Sequence, residues 1–261
     1  MPLFNIIESL KALLDTRKGR WRTWPSLNAL RCRPSVVYVK YAQFALVAGG
    51  TSIVADETLN LDSTEFFFET SDHHWTTGPV LPCSSGDGLS LVSAEEKIFA
   101  VGGLCTSYNN GEISCASLCS ISIGDFMDKN AKESKPKWKI ESPMRDARRH
   151  HGCALLGDGI YVVGGIGSNY ASLLSCEKFN CHKMEWFNIT ALPMSARSAS
   201  FVTSSAYNGL LHCLLAHPKP GAPGLSNYEM LVYDERDSKW HRDEAPSEVG
   251  ICQPSIVSVY D

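Results

Sequence analysis

Short apolar runs that end in a pair of glycines recur along this chain. Three of them read FALVAGG, IFAVGG and IYVVGG, and each is followed by a polar stretch. Apolar runs of this length bounded by turn residues are typical of buried β-strands. A Gly-Asp-Gly turn at 157–159 separates two such runs, at 153–156 and 160–163, and predicts a tight β-hairpin. The glycine pairs are Gly49 and Gly50, Gly102 and Gly103, and Gly164 and Gly165.

A tryptophan follows each glycine pair, so the unit repeats with a period near fifty residues. An arginine stands ten residues after two tryptophans, at Arg31 and Arg148, and Arg197 occupies the corresponding place one residue later in the next unit. Repeats of this length are the sequence sign of a β-propeller. The five tryptophans in this context are Trp21, Trp75, Trp138, Trp186 and Trp240.

The unit resembles the kelch repeat, in which a strand ending in Gly-Gly is followed by a strand carrying tryptophan and then by an arginine. The resemblance implies an all-β, kelch-type β-propeller with four recognisable four-stranded blades and partial blades at both termini. A four-stranded blade is apolar on both faces and cannot bury them alone, so blades must stack radially. We therefore interpret the glycine pairs and the tryptophans as structural, because glycine allows close backbone approach and indole fills the space between sheets.

The repeats divide the chain into six segments. The last full unit is degenerate, because Ala216 and His217 stand where a glycine pair is expected. The first segment matches the third and fourth strands of a blade, although residues 1–20 also permit an amphipathic helix. The sequence leaves open how the ring closes and whether the chain is a piece of a longer protein. The segments are a partial blade at 1–32, blades at 33–82, 83–143 (with long loops) and 144–193, a degenerate blade at 194–246, and the first strand of a further or closing blade at 247–261.

Composition restricts the function classes. A net charge of −4 and a pI near 6.1 argue against a nucleic-acid or membrane-surface binder. No apolar stretch approaches the roughly 18 residues that span a bilayer. Ten cysteines are many, but Cys153, Cys176 and Cys213 lie within predicted strands, so we expect reduced, buried thiols and a cytoplasmic or nuclear protein. The oligomeric state is left open.

The resemblance also implies a binding surface. In ligand-binding kelch propellers, the loops between blades and the loops between second and third strands line one mouth of the central channel. Arginines there suit carboxylates or acidic peptide segments, which they bind through bidentate hydrogen bonds. The alternative is that each arginine is solvated or braces the next blade. The candidate partner-binding residues are Arg31, Arg145, Arg148, His150, Arg197, Asn109, Asn169 and Tyr170, and the wider mouth set adds Arg33, Arg149 and His151.

Other chemistry is not indicated. Adjacent histidines, as in His150 and His151, point to opposite faces of a strand, and no cysteine pair is matched at zinc-site spacing. The sequence contains no phosphate-binding glycine loop, no Gly-x-Ser-x-Gly elbow and no carboxylate pair placed for catalysis. We therefore predict no metal, no cofactor and no catalytic residue.

The sequence thus favours a protein–protein interaction module that recognises a protein partner through the arginine-bearing mouth. The likeness to the kelch part of BTB-kelch and F-box-kelch proteins suggests substrate recognition for a cullin-type ubiquitin ligase, although neither a BTB nor an F-box segment is recognised in this sequence. Two alternatives belong to other classes: a propeller enzyme acting on a sugar or small metabolite, and an actin or cytoskeletal scaffold.

Overall fold

The structure is a computed structural model in which alternating strands and turns fold as the repeats require. It describes residues 12–15, 20–23, 25–54, 57–70, 74–83, 86–107, 111–127, 135–199, 201–222 and 226–243. The predicted final strand at 247–261 and the candidate Asn109 lie outside the described residues. No helix among the described residues is long and apolar enough to cross a membrane.

The described strands form four antiparallel four-stranded sheets and three two-stranded hairpins. Numbered in chain order, the first hairpin is β1 (Ala12–Asp15) with β2 (Arg20–Thr23). Blade 1 contains β3 (Ser35–Val39), β4 (Phe44–Ala48), an inserted hairpin of β5 (Thr51–Val54) and β6 (Glu57–Asn60), then β7 (Thr64–Phe68) and β8 (Thr76–Thr77). Blade 2 contains β9 (Ser90–Ala94), β10 (Lys97–Val101), an inserted hairpin of β11 (Leu104–Ser107) and β12 (Gly111–Ser114), then β13 (Leu118–Ser122) and β14 (Lys139–Ile140).

The remaining two blades carry no inserted hairpin among their described residues. Blade 3 contains β15 (Gly152–Leu156), β16 (Gly159–Val163), β17 (Cys176–Asn180) and β18 (Glu185–Ile189). Blade 4 contains β19 (Phe201–Tyr207), β20 (Leu210–Pro218), β21 (Ser226–Asp234) and β22 (Lys239–Asp243). The short helical elements are α1 (Gly124–Met127) and two 3-10 helices at Lys40–Ala42 and Met194–Ser198.

The four sheets are arranged as a four-bladed β-propeller. The innermost strands of successive blades pack against each other, β3 with β9, β9 with β15, and β15 with β19. Successive side chains of a strand point to opposite faces, so each blade contributes to two cores. In β4, Phe44 and Leu46 pack toward Ile98 of blade 2, whereas Ala45 packs with Trp75 on the other face. This double burial is why the second strands read as continuous apolar runs.

The glycine pairs end the second strands because no other residue fits there. Gly165 has a φ of +92°, and a Cβ on it would lie 2.7 Å from the Arg149 carbonyl oxygen. Blade 4 has no glycine pair, and β20 there runs on for nine residues instead of five. His217, near its end, pairs with Asn227 of β21.

Each tryptophan whose side chain is described links its blade to the chain just before it. The Trp138 indole N–H donates to the Pro79 carbonyl at 3.1 Å, two residues after β8. Trp75 donates in the same way to Pro25 at 2.9 Å, two residues after β2. The β1–β2 hairpin therefore stands where the outer strands of a preceding blade are expected, and it is extended rather than helical at the residues described. The side chain of Trp21 is outside the described part.

Candidate functional site

At one end of the propeller, backbone hydrogen bonds tie each of blades 1 to 3 to the blade that follows it in the chain. The amide of Gly50 donates to Gly86 (3.0 Å), Gly103 to Arg148 (2.9 Å) and Val202 to His150 (3.2 Å). We call this end the mouth; it comprises the described residues of 31–34, 49–62, 86–89, 102–117, 144–151, 164–175, 193–199 and 217–222. Nearly all of the sequence-derived candidates fall in it.

Arg148 lies inside the protein and not on the surface of the mouth. Its side chain is 0% exposed, and it donates to the Glu177 carboxylate at 2.8 Å. It also donates to the carbonyls of Gly164 (2.7 Å) and Ser175 (2.9 Å). The other carboxylate oxygen of Glu177 accepts the Arg145 amide at 2.8 Å. The guanidinium thus holds the end of β16, the start of β17 and the loop before β15 in one arrangement.

Arg31 repeats this arrangement in blade 1. It donates to Glu65 at 3.1 Å and to the carbonyls of Gly49 (3.0 Å) and Ser63 (2.9 Å), and its side chain is 1% exposed. Glu65 accepts the Asn28 amide at 2.6 Å. Two of the predicted partner-binding arginines are therefore buried structural groups, and their burial removes them from the proposed binding set.

The buried pair is absent from the other two blades: blade 2 has lost both partners, whereas blade 4 keeps the arginine, Arg197, and has lost the glutamate. In blade 2, Gly86 stands at the arginine position, four residues before the inner strand, and Cys119 stands at the glutamate position. In blade 4, Leu231 stands at the glutamate position and Arg197 is exposed. The sequence does contain a signal for this pair: comparing the repeats at the glutamate position as well as at the arginine position identifies the blades in which both residues are present.

An ion-pair chain crosses three blades at the surface of the mouth. The Asp87 carboxylate lies 2.9 Å from the Arg33 guanidinium and 3.3 Å from Nε2 of His150. Burial would raise the pKa of Asp87, but the hydrogen bond and charge of His150 and the charges of Arg33 and Arg149 outweigh it and lower that pKa. The candidate His150 therefore has a partner within the protein, whereas Arg33 keeps 45% of its side chain exposed.

The other candidates in the mouth are exposed or partly exposed. The Arg149 guanidinium stacks over the Tyr170 ring, 4.8 Å from its centroid, and Tyr170 is 66% exposed. Arg145 and Arg197 are also exposed. The exposed Asn169 uses its side-chain oxygen locally, because it accepts the Ala171 amide at 3.1 Å. Arginines and a tyrosine thus lie in the loops around the buried Asp87 carboxylate, and the mouth also carries the exposed acidic residues Glu57 and Asp62.

His151, next to the ion-pair chain, points inward. It is buried, and neither ring nitrogen has a hydrogen-bond partner among the described residues. Burial, together with the charges of Arg148 and His150, lowers the pKa of His151 to about 3. The imidazole is therefore neutral at physiological pH.

Two cysteines in the mouth differ from the sequence expectation of free thiols. Cys105 of β11 and Cys115, just after β12, form a disulfide with a Cα–Cα distance of 6.1 Å. The three cysteines expected within strands are there, and burial raises the pKa of Cys153 and Cys176 to about 12. Cys213 is fully buried, and burial likewise raises its pKa.

A depression of about 400 Å3 lies away from the mouth, between the outer strands of blades 3 and 4. It is lined mainly by polar groups, among them Lys178, Asn188 and Glu235. Among the described residues, no group of three or more His, Cys, Asp or Glu side chains could hold a metal ion.

Comparison with known proteins agrees with the fold. No model of a known protein family matches the sequence. Beta-scruin from Limulus polyphemus is 22% identical over 106 residues, which cover 41% of this chain and 12% of that protein. An F-box/kelch-repeat protein of Arabidopsis thaliana is 27% identical over 107 residues (41% and 26%), and Kelch-like protein 25 of Rattus norvegicus is 29% identical over 136 residues (51% and 22%).

The four antiparallel sheets and their radial packing together define a four-bladed β-propeller. The chain is distantly homologous to kelch-repeat proteins, which confirms the resemblance inferred from its sequence. The matched region spans about an eighth to a quarter of the length of these relatives.

Proposed function

We propose that this chain is a protein-interaction module whose mouth binds an acidic segment of a protein partner. The observation that carries the proposal is the set of exposed cations on one surface. Arg145 and Arg197 are exposed, and Arg149 is fixed by its contact with Tyr170. Guanidinium groups bind carboxylates through two parallel hydrogen bonds, and a stacked arginine loses less side-chain freedom on binding.

The neighbouring surface supports a partner of protein size. The β5–β6 hairpin stands beside the Arg33 loop, because Thr51 and Cys32 exchange two backbone hydrogen bonds. This hairpin exposes Ile53 (50%), Val54 (55%) and Leu59 (45%) to solvent. Exposed apolar groups next to arginines and a tyrosine are typical of protein interfaces. A small metabolite would not need this additional surface.

The test is affinity capture with mass spectrometry, comparing wild type with two charge-matched triple variants. The mouth variant carries Arg145→Glu, Arg149→Glu and Arg197→Glu. The control carries Lys97→Glu, Lys183→Glu and Lys239→Glu, which change the net charge equally at exposed positions outside the mouth. Circular dichroism and thermal melting first establish that both variants fold.

We expect a partner that wild type and the control variant retain and that the mouth variant loses. Its retention should also fall as salt rises from 50 to 300 mM, because the screening length for exposed charges shortens from roughly 14 Å to roughly 6 Å over this range. Equal capture by all three proteins would contradict the assignment of the mouth.

A finer proposal follows from the kelch resemblance. The bound partner would be presented to a cullin-type ubiquitin ligase, with the ligase-recruiting part supplied by a further segment or another protein. The similarity to an F-box/kelch-repeat protein supports this proposal. Capture should then recover cullin-ligase subunits with the partner, and their absence from a partner-containing complex would contradict the finer proposal while leaving the binding function intact.

A further inference from the structure

Blade 4 departs from the repeat in a way that the propeller architecture does not explain. It lacks the glycine pair, so β20 continues and carries His217 into the mouth. It also lacks the buried Arg–Glu pair, and a different glutamate, Glu229, stands two residues before the regular position on β21. The 3-10 helix Met194–Ser198, just before the blade, ends beside them.

These differences between blade 4 and the other blades place a hydroxyl, an imidazole and a carboxylate next to one another in that order. The Ser198 hydroxyl lies 2.9 Å from Nδ1 of His217. On the other side of the ring, Nε2 of His217 lies 3.3 Å from the Glu229 carboxylate, an ion-pair distance rather than an aligned hydrogen bond. Ser198 is exposed, whereas the side chains of His217 and Glu229 are only 15% and 11% exposed. The outermost member of the series is therefore the one that a substrate can reach.

The carboxylate is itself held in place. Glu229 accepts hydrogen bonds from Ser195 (3.1 Å) and from Nε of Arg242 (3.0 Å). Burial disfavours the charged form, but the hydrogen bonds of Arg242 and Ser195 outweigh it and lower the pKa of Glu229. We assign the imidazole proton to Nε2, because the negative charge of Glu229 lies on that side of the ring, and Nδ1 is then the acceptor facing Ser198.

We propose that Ser198 is a nucleophile, with His217 as its general base and Glu229 as the positioning residue, and that it reacts with small carboxylic esters. An imidazole between a hydroxyl and a carboxylate activates serine in acyl transfer, and here the two ring nitrogens are exchanged, with Nδ1 facing the hydroxyl and Nε2 facing the carboxylate. The three residues are distant in sequence and match no catalytic motif, so no sequence search for a motif would find them. An exposed hydroxyl is most accessible to esters with short acyl chains, which need no enclosing pocket.

The reaction balances without any further reactant. The Ser198 oxygen attacks the ester carbonyl carbon, and its proton passes to Nδ1 of His217. The carbon–oxygen bond to the alcohol then breaks, and His217 returns the proton to the departing alkoxide, leaving an acyl-serine and a free alcohol. Water, deprotonated by His217, attacks the acyl-serine and releases the carboxylic acid with the hydroxyl restored.

A fluorophosphonate probe tests the nucleophile directly, because the serine oxygen displaces fluoride and retains a stable phosphonyl group. We expect mass spectrometry to locate the label on Ser198 of the wild-type chain and on no serine of the Ser198→Ala variant. Ser168→Ala is the matched control, since Ser168 is another exposed mouth serine, and it should label as wild type does. Absence of label at Ser198 in folded wild-type protein, or labelling of Ser168 at the same rate, would overturn the proposal.

Two further variants separate the roles. His217→Ala should slow labelling of Ser198 by about 100-fold or more, the usual contribution of a general base, and added imidazole should restore part of the rate. Glu229→Gln should lower the maximal labelling rate while the probe concentration giving half of that rate stays unchanged. If His217→Ala leaves the labelling rate of Ser198 unchanged, or if added imidazole does not restore a lowered rate, Ser198 is an ordinary surface hydroxyl and the proposal is wrong. Hydrolysis of p-nitrophenyl acetate should follow the same order among the variants.

Discussion

The Arg148 guanidinium and the Glu177 carboxylate lie 2.8 Å apart in the interior of blade 3, with 0% and 2% of their side chains exposed. Arg31 and Glu65 repeat the pair in blade 1 at 3.0 Å. In both places the charged groups hold three pieces of backbone together at the end of a glycine-terminated strand. The repeating arginine is thus a structural element of the blade, and the exposed arginines near it are the ones available for binding.

Replacing Arg148 by alanine should destabilise the protein severely. Removing one member of a buried ion pair leaves the other charge uncompensated, which costs about 3–5 kcal/mol. Urea unfolding followed by tryptophan fluorescence measures the loss. Arg145→Ala, three residues away and exposed, should change the free energy of unfolding by no more than about 0.5 kcal/mol.

A double variant identifies the cause. Arg148→Met with Glu177→Leu removes both charges, so it should be more stable than Arg148→Ala alone. If Arg148→Ala unfolds at the wild-type urea concentration, the arginine is not structural, and the sequence-based assignment to partner binding would return.

Gly165→Ala should destabilise blade 3, because the site has both a positive φ and no room for a side chain. The φ is +92°, and the new Cβ would lie 2.7 Å from the Arg149 carbonyl oxygen. Gly157 is the matched control: its φ is +58°, and an added Cβ would meet nothing within 4 Å. We expect Gly157→Ala to cost about 1 kcal/mol, the price of a left-handed backbone, and Gly165→Ala to cost clearly more by thermal melting. Equal losses for the two variants would show that the backbone around Gly165 shifts to accommodate the added Cβ with little loss of stability.

His151 should make the protein sensitive to mild acid. Its pKa is lowered to about 3 in the folded chain, against an ordinary value of 6.5. Between these values the unfolded chain binds a proton that the folded chain does not, so the free energy of unfolding falls as the pH falls. The slope approaches about 1.4 kcal/mol per pH unit below pH 6.5.

His151→Leu removes this proton uptake from both states and should flatten the dependence between pH 5 and 6.5. Asp87 acts in the same direction, because its pKa is also lowered, but its contribution is lost nearer pH 4, below that window. Urea unfolding at several pH values measures the two slopes. Parallel curves for wild type and His151→Leu would mean that His151 titrates normally in the folded protein.

The strands were predictable because their signals are local. The run FALVA, predicted to be a buried strand, is found as β4 (Phe44–Ala48), and the hairpin predicted from the runs at 153–156 and 160–163 is found as β15 paired with β16. An apolar run bounded by turn glycines indicates a strand that is buried on both faces, and this signal does not depend on which strands lie next to it. The inserted β5–β6 and β11–β12 hairpins carry no such signal, since their strands are only four residues long and partly exposed.

The site was less predictable because it depends on which charged side chains are buried together. Sequence spacing places Arg148 and Arg145 in the same loop, yet only the Arg148 side chain pairs with Glu177, on a strand almost thirty residues further on, whereas Arg145 contacts it through the backbone amide. The chain of Arg33, Asp87 and His150 joins three blades, and no repeat within one blade encodes it. Pairings of this kind follow from the radial arrangement of blades and not from the order of residues.

The tryptophans provide a test of how blades are linked in series. Trp75 and Trp240 each donate an indole hydrogen bond to the preceding segment, at Pro25 (2.9 Å) and Thr190 (2.8 Å). Trp75 is 1% exposed and stacks on Phe67, whereas Trp240 is half-buried. Replacement by phenylalanine removes the donor and part of the buried ring in both places. We expect a loss of about 2–3 kcal/mol for Trp75→Phe and about 1 kcal/mol for Trp240→Phe. Urea unfolding gives both values, and a smaller loss at Trp75 would mean that the segment before blade 1 is not held to the propeller by this contact.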